Sequence, residues 1–312
     1  MSKKNNIGTV FLRRDNNTSK FISKMETLSA KATGKLKRDI ETQIRFAKYG
    51  KVGEDNIAYE LTNSGVDMYV LQDLYFEHDG LSAQIDYMVF TRNNTYIIES
   101  KNLMGNVSID KDGNFIRTYE FNGKKTKEGI YSPITQNERH KLVVKNMFAE
   151  GRNFIQMKIF NMVFDEGHKT LVVLANPKTI LEDNRCQETL TSEILRADSL
   201  IKYIRENEPK REPGMNNDEL LKKANFFLSR NIEERKDYSL KYEELVKEQL
   251  SSKAATKKTV KPTESTKPTE KSKVCPRCGS GLVLRTAKRG ANKGNQFYGC
   301  GSYPKCRFIE KI

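Results

Sequence analysis

Two carboxylates and one lysine near the middle of the sequence have types and spacings that suit chemistry. Glu99 and Lys101 close an apolar run with one residue between them, and Asp86 lies within the apolar run before it. Because side chains alternate across a β-strand, Glu99 and Lys101 share one face. Carboxylates in apolar surroundings need a compensating cation, which the lysine or a metal ion can supply.

The register between the two runs decides whether Asp86 joins that face. A two-residue turn at Asn93 and Asn94 predicts that Asp86 lies opposite Lys101 and diagonally next to Glu99. This set suits metal-assisted phosphodiester hydrolysis. Asp86 and Glu99 would bind Mg²⁺ or Mn²⁺, and Lys101 would orient the attacking water or stabilise developing negative charge.

Two further polar residues lie on helix faces that are otherwise apolar. Glu54 shares a face with Ala58 and Leu61, and Gln136 shares a face with His140. We interpret both as candidate site residues. The pattern alone leaves open that Glu54 is only a charge near a helix N-terminus, and that Gln136 is only a capping or boundary amide.

Four of the five cysteines lie in residues 275–312, as Cys275-x2-Cys278 and Cys300-x5-Cys306. Paired thiolates at this spacing predict one tetrahedral Zn²⁺ site, with other metals or disulfides as the alternatives. A segment below about 40 residues needs such a metal because it cannot build a sufficient core. Cys186 lies far from the cluster and is interpreted as an inert thiol.

The cysteine segment also interleaves aromatic and basic residues. Aromatic rings there could stack on bases while the basic side chains meet phosphates, although the rings could instead form the small core of the segment. The predicted DNA-binding residues are Arg285, Lys288, Arg289, Lys293, Phe297, Tyr298, Tyr303, Lys305 and Arg307.

The net charge of +15 is concentrated at the two ends of the chain. Residues 251–312 hold 15 basic against 3 acidic residues, a net charge of +12, and residues 1–45 hold 11 against 4, a net of +7. The remaining 29 basic and 33 acidic residues leave the middle at −4. Basic ends on a mildly acidic middle indicate a polyanion partner, with nucleic acid favoured.

No run of apolar residues is long enough for a membrane span, and the first residues lack the apolar core of a secretion signal. Cysteines in a long chain of this kind favour metal binding or free thiols over disulfides. We therefore expect a cytoplasmic protein without a membrane partner.

The apolar periodicity predicts the elements that must position these residues. A helix from Leu36 to Ala47 is expected to break at Gly50–Gly53, before a second helix through Leu61. The other predicted elements are strands at 66–76, 83–90, 95–100 and 170–175, hairpins at Asp112-Gly113 and Asn122-Gly123, and helices at 133–149, 198–206 and 217–229.

These elements predict four segments, with no internal repeat. Residues 1–34 are expected to be a basic, loosely ordered lead-in, and residues 35–250 an α/β domain. Residues 251–274 are expected to be a disordered Lys/Pro/Thr linker, because they hold almost no apolar side chains. Residues 275–312 form the four-cysteine zinc ribbon.

The α/β segment resembles the NERD (nuclease-related domain) family, within the PD-(D/E)xK restriction-endonuclease-like fold. The matching stretches are Gly53-Glu54, Gln84–Val89, Tyr96–Asn102 and Ser132–Asn137. The resemblance implies a mixed sheet flanked by helices. Ser100 departs from the aliphatic residue or threonine that is usual between Glu and Lys, which leaves the ligands intact. The site residues that the resemblance implies are Glu54, Asp86, Glu99, Lys101 and Gln136.

The cysteine segment resembles the C-terminal zinc fingers of type IA DNA topoisomerases. The stretches that carry this resemblance are Cys275–Gly279, Gly294–Cys300 and Tyr303–Phe308. It implies a β-rich ribbon that binds single-stranded DNA.

Together these features predict a Mg²⁺- or Mn²⁺-dependent DNA nuclease, targeted to single-stranded or structured DNA by a zinc ribbon. The alternatives are a catalytically silent DNA-binding or adaptor protein on a nuclease-like scaffold, and a zinc-ribbon RNA-binding factor. The complete set of Asp86, Glu99 and Lys101 favours the enzyme, because an inactive relative would tolerate the loss of one member.

Overall fold

The computed structural model describes residues 6–14, 17–121, 123–182, 193–208, 214–233, 237–258, 274–287 and 294–311. The chain divides into two compact units, Met1–Lys253 and Ala254–Ile312. None of the described helices combines the length and the apolar character that crossing a membrane requires.

The strands of the first unit are β1 (Thr9–Arg13), β2 (Met68–His78), β3 (Leu81–Phe90), β4 (Thr95–Lys101), β5 (Asn106–Ile109), β6 (Phe115–Phe121), β7 (Lys124–Ile130), β8 (His168–Leu174), β9 (Leu181–Glu182) and β10 (Ile194–Arg196). The helices are α1 (Asn17–Lys31), α2 (Gly34–Thr62), α3 (Pro133–Ala149), α4 (Phe154–Gly167), α5 (Leu200–Asn207), α6 (Asn217–Leu228) and α7 (Leu240–Lys258).

A six-stranded mixed sheet with the order β1-β2-β3-β4-β8-β10 forms the centre of the first unit. Strands β2, β3 and β4 are antiparallel, whereas β1, β8 and β10 each join a parallel neighbour. Helices α3, α4 and α6 cover one face and α2 and α5 cover the other. The prediction of a mixed α/β sheet flanked by helices is confirmed.

Strands β2, β4 and β8 are nearly continuous runs of buried residues, because both faces of the sheet are covered there. The apolar composition of the central strands explains why the predicted strands at 66–76, 83–90, 95–100 and 170–175 agree with the structure to within a few residues. Helix α3 begins at Pro133, as predicted. A second, four-stranded sheet has the order β7-β6-β5-β9 and contains both predicted hairpins, although Asn122 itself lies outside the described residues.

The predicted break at Gly50–Gly53 is wrong, because α2 continues without interruption from Gly34 to Thr62. Glycine lowers helix propensity, but packing on the sheet outweighs that local cost. Gly53 is needed for close approach: a Cβ there would lie 2.6 Å from Asn102 Cβ and 3.1 Å from Ala175 Cβ.

The prediction of a loosely ordered lead-in over residues 1–34 is also wrong for the part that the structure describes. Strand β1 extends the central sheet through its parallel pairing with β2. Helix α1 packs Met25 against Ile40 of α2 and Val246 of α7. These contacts join segments far apart in sequence, so the local apolar pattern did not reveal them.

Helix α7 extends to Lys258 and therefore occupies the first part of the predicted linker. The sequence from Leu240 to Lys258 contains no proline, and its alanines and lysines favour a helix. The rest of that prediction, residues 259–273, lies outside the described residues. The second unit contains a three-stranded antiparallel sheet of β11 (Leu282–Thr286), β12 (Gln296–Cys300) and β13 (Ile309–Lys311).

We predict opposite effects of alanine at the two glycines in the middle of α2. Gly53→Ala should lower the free energy of unfolding by about 1–3 kcal/mol, because the new Cβ overlaps Asn102. The matched control Gly50→Ala has no atom within 4 Å of its new Cβ and should raise stability by about 0.5–1 kcal/mol. Thermal unfolding of both variants measures the difference, and equal midpoints would contradict the close approach.

Candidate functional site

The connection between β3 and β4 differs from the predicted two-residue turn. Phe90 pairs with Thr95, so four residues form the loop, closed by hydrogen bonds between Thr91 and Asn94. The predicted register is therefore wrong by two positions. When the observed pairing is continued by one residue, Asp86 lies opposite Glu99 rather than Lys101. A shift of two residues keeps the side chains of β4 on their predicted faces.

Asp86 lies where the strand alternation is interrupted. Ile85 and Met88 contribute to the same core cluster, although strict alternation would place them on opposite faces. On the neighbouring strand Asp73 has a φ of 56°, in the left-handed region. At this irregularity the Asp86 carboxylate turns towards β4, where its Oδ2 accepts a hydrogen bond of 2.7 Å from the backbone N–H of Ser100.

Glu99, Lys101 and Gln136 form a closed hydrogen-bonded group, which we call the Glu99 triad. Lys101 Nζ donates to Glu99 Oε1 at 2.6 Å and to Gln136 Oε1 at 3.1 Å. Gln136 Nε2 donates to Glu99 Oε1 at 2.8 Å. Glu99 is only 4% exposed, so these two donors compensate a carboxylate that water cannot reach.

Helix α3 supplies Gln136, and the buried residue after it fixes the helix on the sheet. Asn137 Nδ2 donates to the backbone oxygens of Ile97 and Leu171, at 2.9 and 3.0 Å. Asn137 thereby joins α3 to both β4 and β8. No sequence pattern predicts this role for Asn137, although the residue lies within the stretch Ser132–Asn137 that resembles NERD.

Glu54 approaches the site from the opposite helix, α2. Its backbone carbonyl accepts a 2.7 Å hydrogen bond from the hydroxyl of Tyr87, a buried residue of β3. The charge of the Glu54 carboxylate is close enough to Asp86 to raise its pKa. The structure thus brings all five predicted residues to one region of the sheet.

Burial and mutual repulsion shape the ionisation of the carboxylates. Burial raises the pKa of Asp86 well above its usual range, and the charges of Glu99 and Glu54 raise it further. The pKa of Glu99 is also raised by burial, against the opposing effects of Lys101 and Gln136. Glu54, Asp86 and Glu99 thus bring three carboxylates close together, an arrangement that a bound divalent cation would stabilise.

The oxygen atoms that remain fit a hard cation. Within the described residues, Asp86 Oδ1 and Glu99 Oε2 accept no hydrogen bond. One or two protein carboxylates, completed by water and substrate phosphates, are the usual ligands of Mg²⁺. Asp86 and Glu99 are therefore the residues that would hold the metal.

His140 borders the same carboxylate from one turn further along α3. Its Nδ1 lies 3.7 Å from Glu99 Oε2 and makes no hydrogen bond within the described part of the chain. Burial, with a contribution from Lys101, lowers the pKa of His140 to about 4. The imidazole is therefore neutral near pH 7 and adds no charge to the site.

A cleft of about 500 Å³ opens beside Glu54. Sheet residues Tyr75 and Gln84 line one side, and Lys20 and Phe21 of α1 line the other. Helix α1, which the sequence analysis left out of the domain, therefore contributes to the surface next to the candidate site.

The second unit brings the four predicted zinc ligands together. Their sulfur atoms all lie within 4.8 Å of one another, with 3.8 Å between Cys275 and Cys306 and 3.3 Å between Cys278 and Cys300. Tetrahedral zinc with Zn–S bonds of about 2.3 Å requires sulfur separations of about 3.8 Å, so the group fits Zn²⁺. Hydrogen bonds from Ser280 lower the pKa of Cys278, which favours its thiolate, whereas burial and the neighbouring thiols raise the pKa of Cys300 and Cys306.

The described DNA-binding candidates differ in exposure. Tyr303 is 61% exposed, with the Arg285 guanidinium 5.9 Å from its ring, and is not a core residue. Phe297 and Tyr298 are half-buried in β12. Of the basic candidates that the structure describes, Arg285, Lys305 and Arg307 are all exposed. The candidates Lys288, Arg289 and Lys293, together with Cys186, lie outside the described residues.

Comparison with known proteins finds a family match within each unit. Residues 49–164 match the family model of the nuclease-related domain, NERD, and residues 272–312 match that of the topoisomerase DNA-binding C4 zinc finger. A stretch of 43 residues is 44% identical to DNA topoisomerase 1 of Methanocaldococcus jannaschii, covering 14% of this chain and 5% of that protein. No solved structure matched the chain.

These matches confirm the two resemblances found in the sequence, and the clustered thiols support the zinc site. The chain therefore carries a stretch that matches the nuclease-related domain, NERD, over residues 49–164, and one that matches the topoisomerase type of zinc ribbon over residues 272–312.

Proposed function

We propose that the protein is a metal-dependent deoxyribonuclease that its zinc ribbon targets to DNA. The observation that carries the proposal is the Glu99 triad, which adjoins Asp86 at the end of a covered sheet. A buried carboxylate with a second carboxylate beside it and a lysine in contact is the donor set that phosphodiester hydrolysis uses.

In this proposal each residue has a separate task. Asp86 and Glu99 would hold Mg²⁺ or Mn²⁺, which supplies Lewis-acid polarisation of the phosphate when bound. Lys101 would orient the attacking water and stabilise negative charge on the phosphate oxygens. Gln136 would keep Lys101 and Glu99 in place. Glu54 would accept a hydrogen bond from the attacking water or from another water bound to the metal.

The zinc ribbon would supply DNA affinity. Tyr303 is exposed beside Arg285, a pairing that suits base stacking together with a phosphate contact. We therefore propose single-stranded or structured DNA as the substrate. A site of four reduced thiolates requires a reducing compartment, so we place the protein in the cytoplasm.

A second candidate function is a catalytically silent DNA-binding protein on the same scaffold. The observation that favours it is the direct contact of Lys101 with Glu99, because this ammonium already neutralises a carboxylate that the metal would need. The two candidates differ in one measurable property, which is cleavage.

We predict that Asp86→Asn, Glu99→Gln and Lys101→Ala each reduce DNA cleavage at least about a hundredfold, because each removes a proposed metal ligand or the ammonium that contacts Glu99. DNA affinity should remain nearly unchanged. The matched control is Glu77→Gln, which removes a carboxylate from β2 outside the site. Purified proteins are incubated with single-stranded, duplex and branched DNA, and with RNA, in Mg²⁺, Mn²⁺ or EDTA.

Cleavage that persists in Asp86→Asn, or in EDTA, would contradict the metal site. Absence of cleavage by the wild type, with DNA binding intact, would favour the silent protein. Preferential binding of folded RNA would favour the RNA-binding alternative.

We also predict one tightly bound Zn²⁺ per chain. Serine at any of Cys275, Cys278, Cys300 or Cys306 should release it, because zinc prefers four thiolates at this site. DNA affinity should fall with the zinc, since a ribbon of this size depends on its metal. Elemental analysis measures the zinc content, with Cys186→Ser as the control that keeps it. Loss of zinc in Cys186→Ser would refute the ligand assignment.

A further inference from the structure

Helix α4 is apolar on two opposite faces. Its inner face packs Met157, Phe160 and Phe164 into the core beneath α3 and α6. Its outer face carries five apolar side chains that are 55–86% exposed, and we call this face the α4 stripe. The members of the α4 stripe are Phe154, Ile155, Ile159, Met162 and Val163.

The spacing of the α4 stripe is that of a helix–helix contact. Ile155, Ile159 and Met162 stand at i, i+4 and i+7, so they align along one side of the helix. Alternating steps of four and three residues are the spacing with which two helices pack side by side. The 14 residues of α4 span about 21 Å, which is long enough for such a contact.

An exposed patch of this kind calls for a partner. Single exposed apolar side chains are ordinary, but five in ten positions expose on the order of 500 Å² of apolar surface, which is typical of interaction sites. Formation of the helix does not require these residues to be apolar. Asn153 and Gln156 cap its first turn reciprocally, and the inner face already fixes α4 on the sheet.

We propose that the α4 stripe binds the α4 stripe of a second copy of this chain, with the two helices antiparallel about a two-fold axis. A two-fold contact is self-complementary, because one surface serves as both partners. Two such faces together offer about 1,000 Å² of apolar surface, which is the lower threshold for a specific interface.

The charges at the two ends of the α4 stripe favour the antiparallel arrangement. Lys158 lies in the first half of the helix, and Glu166 lies in the last turn, where a carboxylate is unfavourable against the helix dipole. In an antiparallel pair the first half of one helix lies beside the last turn of the other. Lys158 and Glu166 are each four residues from Met162, so each Lys158 lies level with Glu166 of the second copy when the two-fold axis passes beside Met162. In this register Ile159, Met162 and Val163 lie in the helix–helix contact, whereas a parallel pair would set like charges side by side.

Sedimentation equilibrium of the full chain, freed of nucleic acid and in high salt, tests the proposal. Salt suppresses bridging by residual DNA but leaves apolar contact intact. The wild type should approach twice the single-chain mass as concentration rises. Ile159→Glu and Met162→Glu should each raise the dimer dissociation constant at least about tenfold, since each places a charge in an apolar contact.

Matched variants separate the interface from a general effect of charge. Phe46→Glu changes an equally exposed apolar residue of α2 and should leave the dimer unchanged. At moderate salt Lys158→Glu should weaken the dimer a few-fold, and adding Glu166→Lys should restore it. All these positions are exposed, so the circular dichroism spectrum should stay that of the wild type.

Three results would overturn the proposal. The first is a wild type that stays monomeric over the whole concentration series. The second is a dimer that Ile159→Glu and Met162→Glu leave unchanged. The third is a monomeric wild type that binds vesicles of anionic lipid and loses that binding in the same variants, which would assign the α4 stripe to a lipid surface.

Discussion

The burial of the Glu99 carboxylate is the constraint on which the candidate site depends. An unpaired charge in a covered sheet costs several kcal/mol, so the chain must bring a cation and a hydrogen-bond donor to the end of β4. Lys101, two residues along the same strand, supplies the cation, and Gln136 supplies the donor from α3. The rest of the unit holds these three side chains within hydrogen-bond distance of one another.

That arrangement requires two helices to lie close to the sheet on opposite faces. On one face, Asn137 joins α3 to β4 and β8 through backbone oxygens, which fixes the position of Gln136. On the other face, Gly53 lets α2 pass close to Asn102, which brings Glu54 near Asp86. The site is therefore assembled from a strand pair and two helices that are distant in sequence, and a divalent cation would reduce the repulsion that this assembly leaves among its carboxylates.

The sequence predicted the parts of this structure that local pattern determines. Buried strands are recognisable from their apolar composition, α3 from Pro133 at its start, and the shared face of Glu99 and Lys101 from strand alternation. The four-residue loop before β4 shifted the register by two positions, which preserved the shared face of Glu99 and Lys101 but changed the partner of Asp86. Features that depend on contacts between distant segments were missed, because no local pattern encodes them. The continuity of α2 across Gly53, the packing of α1 and the anchoring role of Asn137 are of this kind.

The four thiolates and the paired carboxylates suit different metals, since zinc prefers sulfur and Mg²⁺ or Mn²⁺ prefers oxygen. Whether Asp86 and Glu99 hold a divalent cation is tested most directly by calorimetric titration of Mn²⁺ into the zinc-loaded protein. The wild type should bind one Mn²⁺ per chain beyond its zinc, and Asp86→Asn should lose that binding while its zinc content and thermal unfolding stay unchanged. No binding by the wild type, or the same isotherm in Asp86→Asn, would contradict a metal site at these carboxylates.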